Sequence, residues 1–126
     1  MKKLLVIDDD SMVVKLIKDL TTAAGYSVAS ANNGQDGLEL ASHQKPDVIL
    51  LDIMMPEMDG YKVAHQLKAS PLTAGIPIIM LTAVCFDMNK QLALNMGVAD
   101  YVTKPFDIKE LLAKVERCVE AQTVKK

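Results

Sequence analysis

The sequence predicts an α/β protein, a parallel sheet of five strands with helices on both faces. Five short apolar runs alternate with five amphipathic stretches over 126 residues, with no repeat and no long linker, and such alternation builds successive βαβ units. The run Val48-Ile49-Leu50-Leu51 is apolar throughout, as a central strand covered on both sides must be, since a strand with one wet face would alternate. That run ends abruptly on Asp52. In open parallel sheets, the carboxyl ends of the strands are where ligands bind.

Taken in order, β1 is Lys3 to Ile7, a buried strand that stops at Asp8-Asp9-Asp10. Ser11 is placed to cap α1, in which Val13, Leu16, Ile17, Leu20 and Ala24 recur at helical spacing until Gly25 stops it. Tyr26 to Ala31 is β2 and Asn32-Asn33-Gly34 a turn. Gly37 to His43 is α2, with Leu38 and Ala41 inward, ended before Pro46. Val48 to Leu51 is β3, with Asp52 at its carboxyl end and a loop from Pro56 to Gly60 beyond it. Tyr61 to Ala69 is α3, with Val63, Ala64 and Leu67 on one face and Ser70-Pro71 closing it. Pro77 opens β4, Ile78-Ile79-Met80-Leu81, which ends on Thr82-Ala83. Asp87 to Met96 is α4, stopped by Gly97, and Ala99 to Val102 is β5, ending at Thr103-Lys104-Pro105-Phe106. Asp107 caps α5, with Ile108, Leu111, Leu112, Val115 and Val119 inward, and Val124-Lys125-Lys126 is expected to fray.

Composition narrows the function classes. The length fits a single domain, residues 1–126. Half the residues are hydrophobic and 24% are charged, the profile of a soluble globular protein. With a formal net charge of −2 no general polyanion-binding surface is implied, and direct nucleic-acid binding is not expected. No apolar stretch reaches the roughly 18 residues of a membrane span, and Met1-Lys2-Lys3 runs straight into β1. The expected location is the cytoplasm. Cys85 and Cys118 are far apart and lack metal-ligand spacing, so both are read as reduced structural thiols.

Four features stand in order, each at the end of a different strand: Asp8-Asp9, Asp52, Thr82-Ala83 and Lys104-Pro105. Any one of them is weak evidence, and together they make the chain similar, over nearly its whole length, to the receiver domains of two-component response regulators. The resemblance implies a flavodoxin-like, three-layer αβα fold with strand order 2-1-3-4-5. In that order the first and third strands straddle the switch point, and Asp8, Asp9 and Asp52 share one crevice.

Three converging carboxylates repel one another unless a cation sits among them. Mg²⁺ suits such a site because it prefers octahedral oxygen ligands, several of them water or phosphate. The resemblance implies Asp9 as the direct ligand, Asp8 in support, Asp52, and the backbone carbonyl of Met54. It implies Asp52 as the acceptor that forms an aspartyl phosphate, donated by a sensor histidine kinase or phosphotransfer protein. Phosphoryl transfer needs in-line positioning and neutralised equatorial oxygens. Lys104 can supply a point charge, and the Thr82 hydroxyl with the Ala83 N–H can donate hydrogen bonds. Ala83 is also small enough to leave room for the phosphoryl group. The Lys104-Pro105 bond is, by the same resemblance, a cis peptide that aims the lysine inward.

The resemblance implies Tyr101 as the switch residue: Thr82 would move toward the phosphoryl group and Tyr101 turn into the space it leaves. That repacks the α4-β5-α5 face, which a downstream effector reads. On this face Lys90, Asp100, Glu110 and Lys114 match charges that pair across the dimer in the DNA-binding branch of the family, whereas Asn95, Ala99, Cys118 and Ala121 replace other charges of that pattern. A monomer, or a dimer when phosphorylated, is therefore expected. The resemblance implies that Met54 and Val84 hold the positions that tune phosphoryl lifetime; neither side chain can hydrogen-bond an attacking water, so slow self-hydrolysis is expected, with no enzymatic activity beyond self-phosphorylation. No effector domain follows α5 in these 126 residues, which suits a stand-alone receiver or a fragment.

The plainer readings are specific. Asp10 is a cap or surface residue, Asp59-Gly60 a turn, and Met54, Met55 and Met58 loop fillers. His43 and His65 stand singly on helices and read as surface residues. An aspartate-dependent phosphatase is an alternative, but Asp8-Asp9-Asp10-Ser11-Met12 departs from its Asp-x-Asp-x-Thr/Val motif and the chain has no room for a cap domain. A flavin mononucleotide binder would need a Ser/Thr-rich loop after β1. A receiver fold serving as a constitutive docking module would not need the complete acceptor set.

Overall fold

Uniformly apolar runs can be buried only if both faces of their sheet are covered, and that is what the computed structural model displays. It describes residues 2–53, 55, 59–82, 97–104 and 106–124, without the side chains of Thr82 and residues 121–124. The strands are β1 Lys3–Ile7, β2 Ser27–Ala31, β3 Val48–Asp52, β4 Ile78–Thr82 and β5 Asp100–Thr103. All pair in parallel, in the order β2-β1-β3-β4-β5. The expected flavodoxin-like order is thus borne out.

Alternation along each strand splits the core into two layers. Ile49 and Leu51 point to one side with Leu5, Ile7, Ile78 and Met80, against Ala41 of α2 and Val63, Ala64 and Leu67 of α3. Val48 and Leu50 point to the other with Leu4, Val6, Ile79 and Leu81, against Ile17 of α1 and Leu111, Val115 and Val119 of α5. Val48, Ile49, Leu50 and Leu51 are fully buried, each contributing roughly 1.5–3 kcal/mol of transfer free energy. The three-layer αβα arrangement follows directly.

The described helices are α1 Ser11–Ala23, α2 Gly34–Gln44, α3 Gly60–Ala69 and α5 Ile108–Val124; α4, expected over Asp87–Met96, lies outside the described residues. Several details differ from the sequence reading. The cap of α1 is Asp10 and not Ser11: Asp10 has an extended backbone and its Oδ1 accepts from the N–H of Met12 at 3.0 Å and of Val13 at 3.4 Å. Ser11 is already helical. Second, Leu16 and Ala24 are exposed, whereas Thr21 is buried on the stripe of Ile17. Its hydroxyl donates to the Ile17 carbonyl at 2.6 Å, which lets a polar residue occupy an apolar position. Third, α2 starts three residues early at Gly34, because the Asn33 side chain accepts from the Asp36 N–H at 2.8 Å. Ile108 is likewise exposed, while Asp107 accepts from the Lys109 N–H at 2.8 Å, as a cap should.

The register positions everything that follows. Ile7 lies opposite Leu51, Asp52 opposite Leu81, and Thr82 opposite Thr103. The residues just past these pairs, Asp8 and Lys104, therefore emerge at one edge with Asp52. Among the described residues no helix is long and apolar enough to cross a membrane.

Candidate functional site

Asp52 is the last residue of β3, and the Ile53 N–H continues the ladder to the Leu81 carbonyl at 3.1 Å. The chain then returns so closely that the Gly60 N–H donates to the Ile53 carbonyl at 2.8 Å. A Cβ on Gly60 would collide with the Asp52 carbonyl and the Ile53 Cα. Only glycine lets α3 start this close to the strand carrying Asp52.

Asp8 follows β1 directly, its N–H donating to the Ala31 carbonyl at 3.1 Å. Its carboxylate is completely buried and fully used: Oδ1 accepts from the Asp10 N–H at 2.9 Å and Oδ2 from Lys104 Nζ at 2.9 Å. Asp52 is 5% exposed, whereas Asp9 is exposed at the mouth. One oxygen from each of Asp8, Asp9 and Asp52 falls within 4.8 Å of the others. Lys104 Nζ also stands 3.4 Å from Asp52 Oδ1. Burial works to lower the Lys104 pKa, but the Asp8 hydrogen bond and the Asp52 and Asp8 charges outweigh it and raise the group above its ordinary value. The ammonium is therefore firmly charged at neutral pH.

Four of the expected site residues, Asp8, Asp9, Asp52 and Lys104, thus meet at the carboxyl edge. Tyr101 lies three residues before Lys104, half-buried against the core on the α2–α3 side. Thr82 ends β4, but its side chain lies outside the described residues, as do Met54, Ala83, Val84, Lys90, Asn95 and Pro105, with the expectations attached to them. His43 and His65 are exposed, as anticipated, and Asp10 and Asp59 are helix caps, the latter at a position read from the sequence as a turn. Of the charges matched to a dimer face, three meet within the chain: Lys114 Nζ is 3.4 Å from Asp100 and 3.9 Å from Glu110. It also donates to the Tyr101 carbonyl at 2.7 Å and sits 5.1 Å from the Tyr101 ring centroid. No local sequence signal announces this contact, since 13 residues and a helix start separate the partners.

With the geometry in hand, comparison with known proteins is specific. The family model of the response regulator receiver domain matches residues 4–116. The chain is 42% identical over 115 residues to the alkaline phosphatase synthesis transcriptional regulatory protein PhoP of Bacillus subtilis, an alignment covering 91% of this chain and 47% of that protein. The chain spans about half the length of the curated relatives it matches. The receiver domain of the Francisella response regulator 1452 is 34% identical with a TM-score of 0.90, covering 97% of this chain and 99% of that one. The receiver domain of a Pseudomonas aeruginosa sensor histidine kinase, solved with a magnesium ion coordinated in its active-site cleft, is 28% identical with a TM-score of 0.86, covering 94% and 98%. A family match over most of the chain, on a sheet of matching order, places this protein among the response-regulator receiver domains, the phosphorylation-dependent switches of two-component signalling.

Proposed function

We propose that residues 1–126 form one receiver domain in which Asp52 is the phosphoryl acceptor. The observation that carries this reading is the Lys104 ammonium held 2.9 Å from Asp8 and 3.4 Å from Asp52 at the mouth of a buried acid cluster. A buried carboxylate with a fixed cation beside it and an open side toward solvent is prepared to receive an anion.

The donor set fits a hard divalent cation. It has three carboxylate oxygens within 4.8 Å, two buried and one exposed where bound water can remain. Asp8, Asp9 and Asp52 would hold Mg²⁺, with the Met54 carbonyl as the further ligand the resemblance implies. A cation held there would supply positive charge to offset the repulsion between acceptor and phosphoryl group. An Asp52 carboxylate oxygen attacks phosphorus in line, the bond from phosphorus to the donor breaks, and the leaving group departs with its electron pair. Lys104 swings its charge from the carboxylates to a phosphoryl oxygen, and Thr82 and Ala83 donate to the others. The donors are a histidine kinase or phosphotransfer protein and small acyl phosphates, and the aspartyl phosphate hydrolyses slowly. Thr82 and Tyr101 carry the change to the α4-β5-α5 face, where an effector binds; the domain acts in the cytoplasm and makes no nucleic-acid contact of its own.

The test is intact mass after incubation with Mg²⁺ and acetyl phosphate, wild type beside Asp52→Asn. The wild type is expected to gain one phosphoryl group and the variant none. An unshifted wild type, or an equally shifted variant, sinks the assignment.

A further inference from the structure

Among the described residues β5 is the edge strand of the sheet, paired only with β4, so its outer side needs cover. Lys114 supplies part of it. This residue is on α5, which packs through Leu111 and Val115 on one face of the sheet, while the Tyr101 ring packs on the opposite face. Lys114 reaches around the edge between them. Its Nζ donates to the Tyr101 carbonyl at 2.7 Å, approaches Asp100 Oδ1 at 3.4 Å and stands 5.1 Å from the Tyr101 ring centroid. Glu110, half-exposed and 3.9 Å away, adds little. One side chain therefore fastens the strand backbone, its carboxylate and its ring together, three residues before the same strand delivers Lys104 to Asp8.

We infer that Lys114 is a positioning residue of the switch: it clamps Tyr101 and the edge of β5 in the resting arrangement. The inference rests on the reading of Tyr101 as the residue that changes place when Asp52 is phosphorylated. A contact made in only one of two arrangements biases the equilibrium toward that arrangement, and its loss raises the population of the other by the same factor. A phosphoryl mimic that binds the active arrangement then gains apparent affinity by that factor. For a cation over an aromatic face at a partly exposed site, the factor is about twofold to fivefold.

The experiment measures the affinity of beryllofluoride in saturating Mg²⁺ for wild type, Lys114→Met, Lys114→Arg, Tyr101→Ala and the Lys114→Met/Tyr101→Ala double variant. Methionine keeps the apolar stem and removes the charge. Lys114→Met is expected to bind about twofold to fivefold more tightly, with Lys114→Arg near wild type because it restores a cation and a donor. In the Tyr101→Ala background, Lys114→Met is expected to change nothing. Unchanged affinity in Lys114→Met, or the same gain without the tyrosine ring, overturns the clamp. The second readout is the set of Tyr101 ring signals in NMR spectra of tyrosine-labelled protein without any mimic. These are expected to shift in Lys114→Met and return in Lys114→Arg, and unmoved signals overturn the clamp independently. If wild type takes no beryllofluoride, the acceptor assignment at Asp52 fails instead, and the ring signals alone decide the clamp.

Discussion

Among the described residues two lysines each bridge a pair of carboxylates, Lys104 at the carboxyl edge of the sheet and Lys114 at the outer side of β5, and they are almost equally exposed, at 21% and 18%. The acids they face are not. Asp8 and Asp52 side chains are 0% and 7% exposed, whereas Asp100 and Glu110 are 24% and 50% exposed. Removing Lys104 strands carboxylates that water reaches poorly; removing Lys114 leaves carboxylates that water reaches freely. Similar ion-pair geometry therefore does different work, and the burial of the acid, more than that of the base, decides which.

The comparison can be broken at its strongest point by Lys104→Met. In divalent-free buffer this variant should lose about 3 kcal/mol in urea unfolding, because the buried acids lose their counter-charge. Added Mg²⁺ should return part of the loss, since a second cation can serve the same carboxylates; a loss under 1 kcal/mol would show that water already reaches Asp8. Next in size is Gly60→Ala. The atoms it meets are backbone of Asp52 and Ile53, which cannot yield as a flexible side chain would, so a loss of about 2 kcal/mol is expected, together with slower phosphorylation from acetyl phosphate. Lys114→Met should cost only about 0.5–1 kcal/mol and be indifferent to Mg²⁺. A loss as large as that of Lys104→Met would erase the distinction between the two edges.

The smallest effect lies beside the Lys114 cluster. Burial pushes the Cys118 thiol up, the Asp100 charge adds to this, and Arg117 opposes it. Removing the Asp100 charge lowers the thiol pKa and leaves more thiolate at a given pH. In a Cys85→Ser background, Asp100→Asn should therefore speed alkylation of Cys118 at pH 8 by roughly twofold. Slower alkylation would mean that release of Lys114 reshapes the pocket more than the lost charge favours the thiolate.

Much of this was legible because local pattern and fold agreed. The uniform burial of Val48 to Leu51, the inward set Val63, Ala64 and Leu67, and the stop at Gly25, whose φ is +98°, were all written in residue type and spacing. Pattern and fold part where a polar group finds a local partner. Periodicity counts apolar side chains and so does not mark Thr21 as inward, yet its hydroxyl is satisfied one turn back by Ile17. Ser11 and Asp10 are both acceptable caps by type, and only the backbone decides which stands in the extended position. The cationic partner of Asp8, Lys104, lies 96 residues away, beyond the reach of any local pattern.

By itself the sequence determined the alternation of strands and helices, the central placement of β3, and the set of strand-end residues able to carry phosphoryl chemistry. These depend on hydrophobic period and residue type, which are local quantities. Tertiary structure decided which of those ends meet. The order β2-β1-β3-β4-β5 and its register bring Asp8, Asp9, Asp52 and Lys104 within reach of one another. The outer side of β5 sets Lys114 over Tyr101. Charge–charge and cation–ring energies depend on distance and burial, and neither exists until the chain is folded.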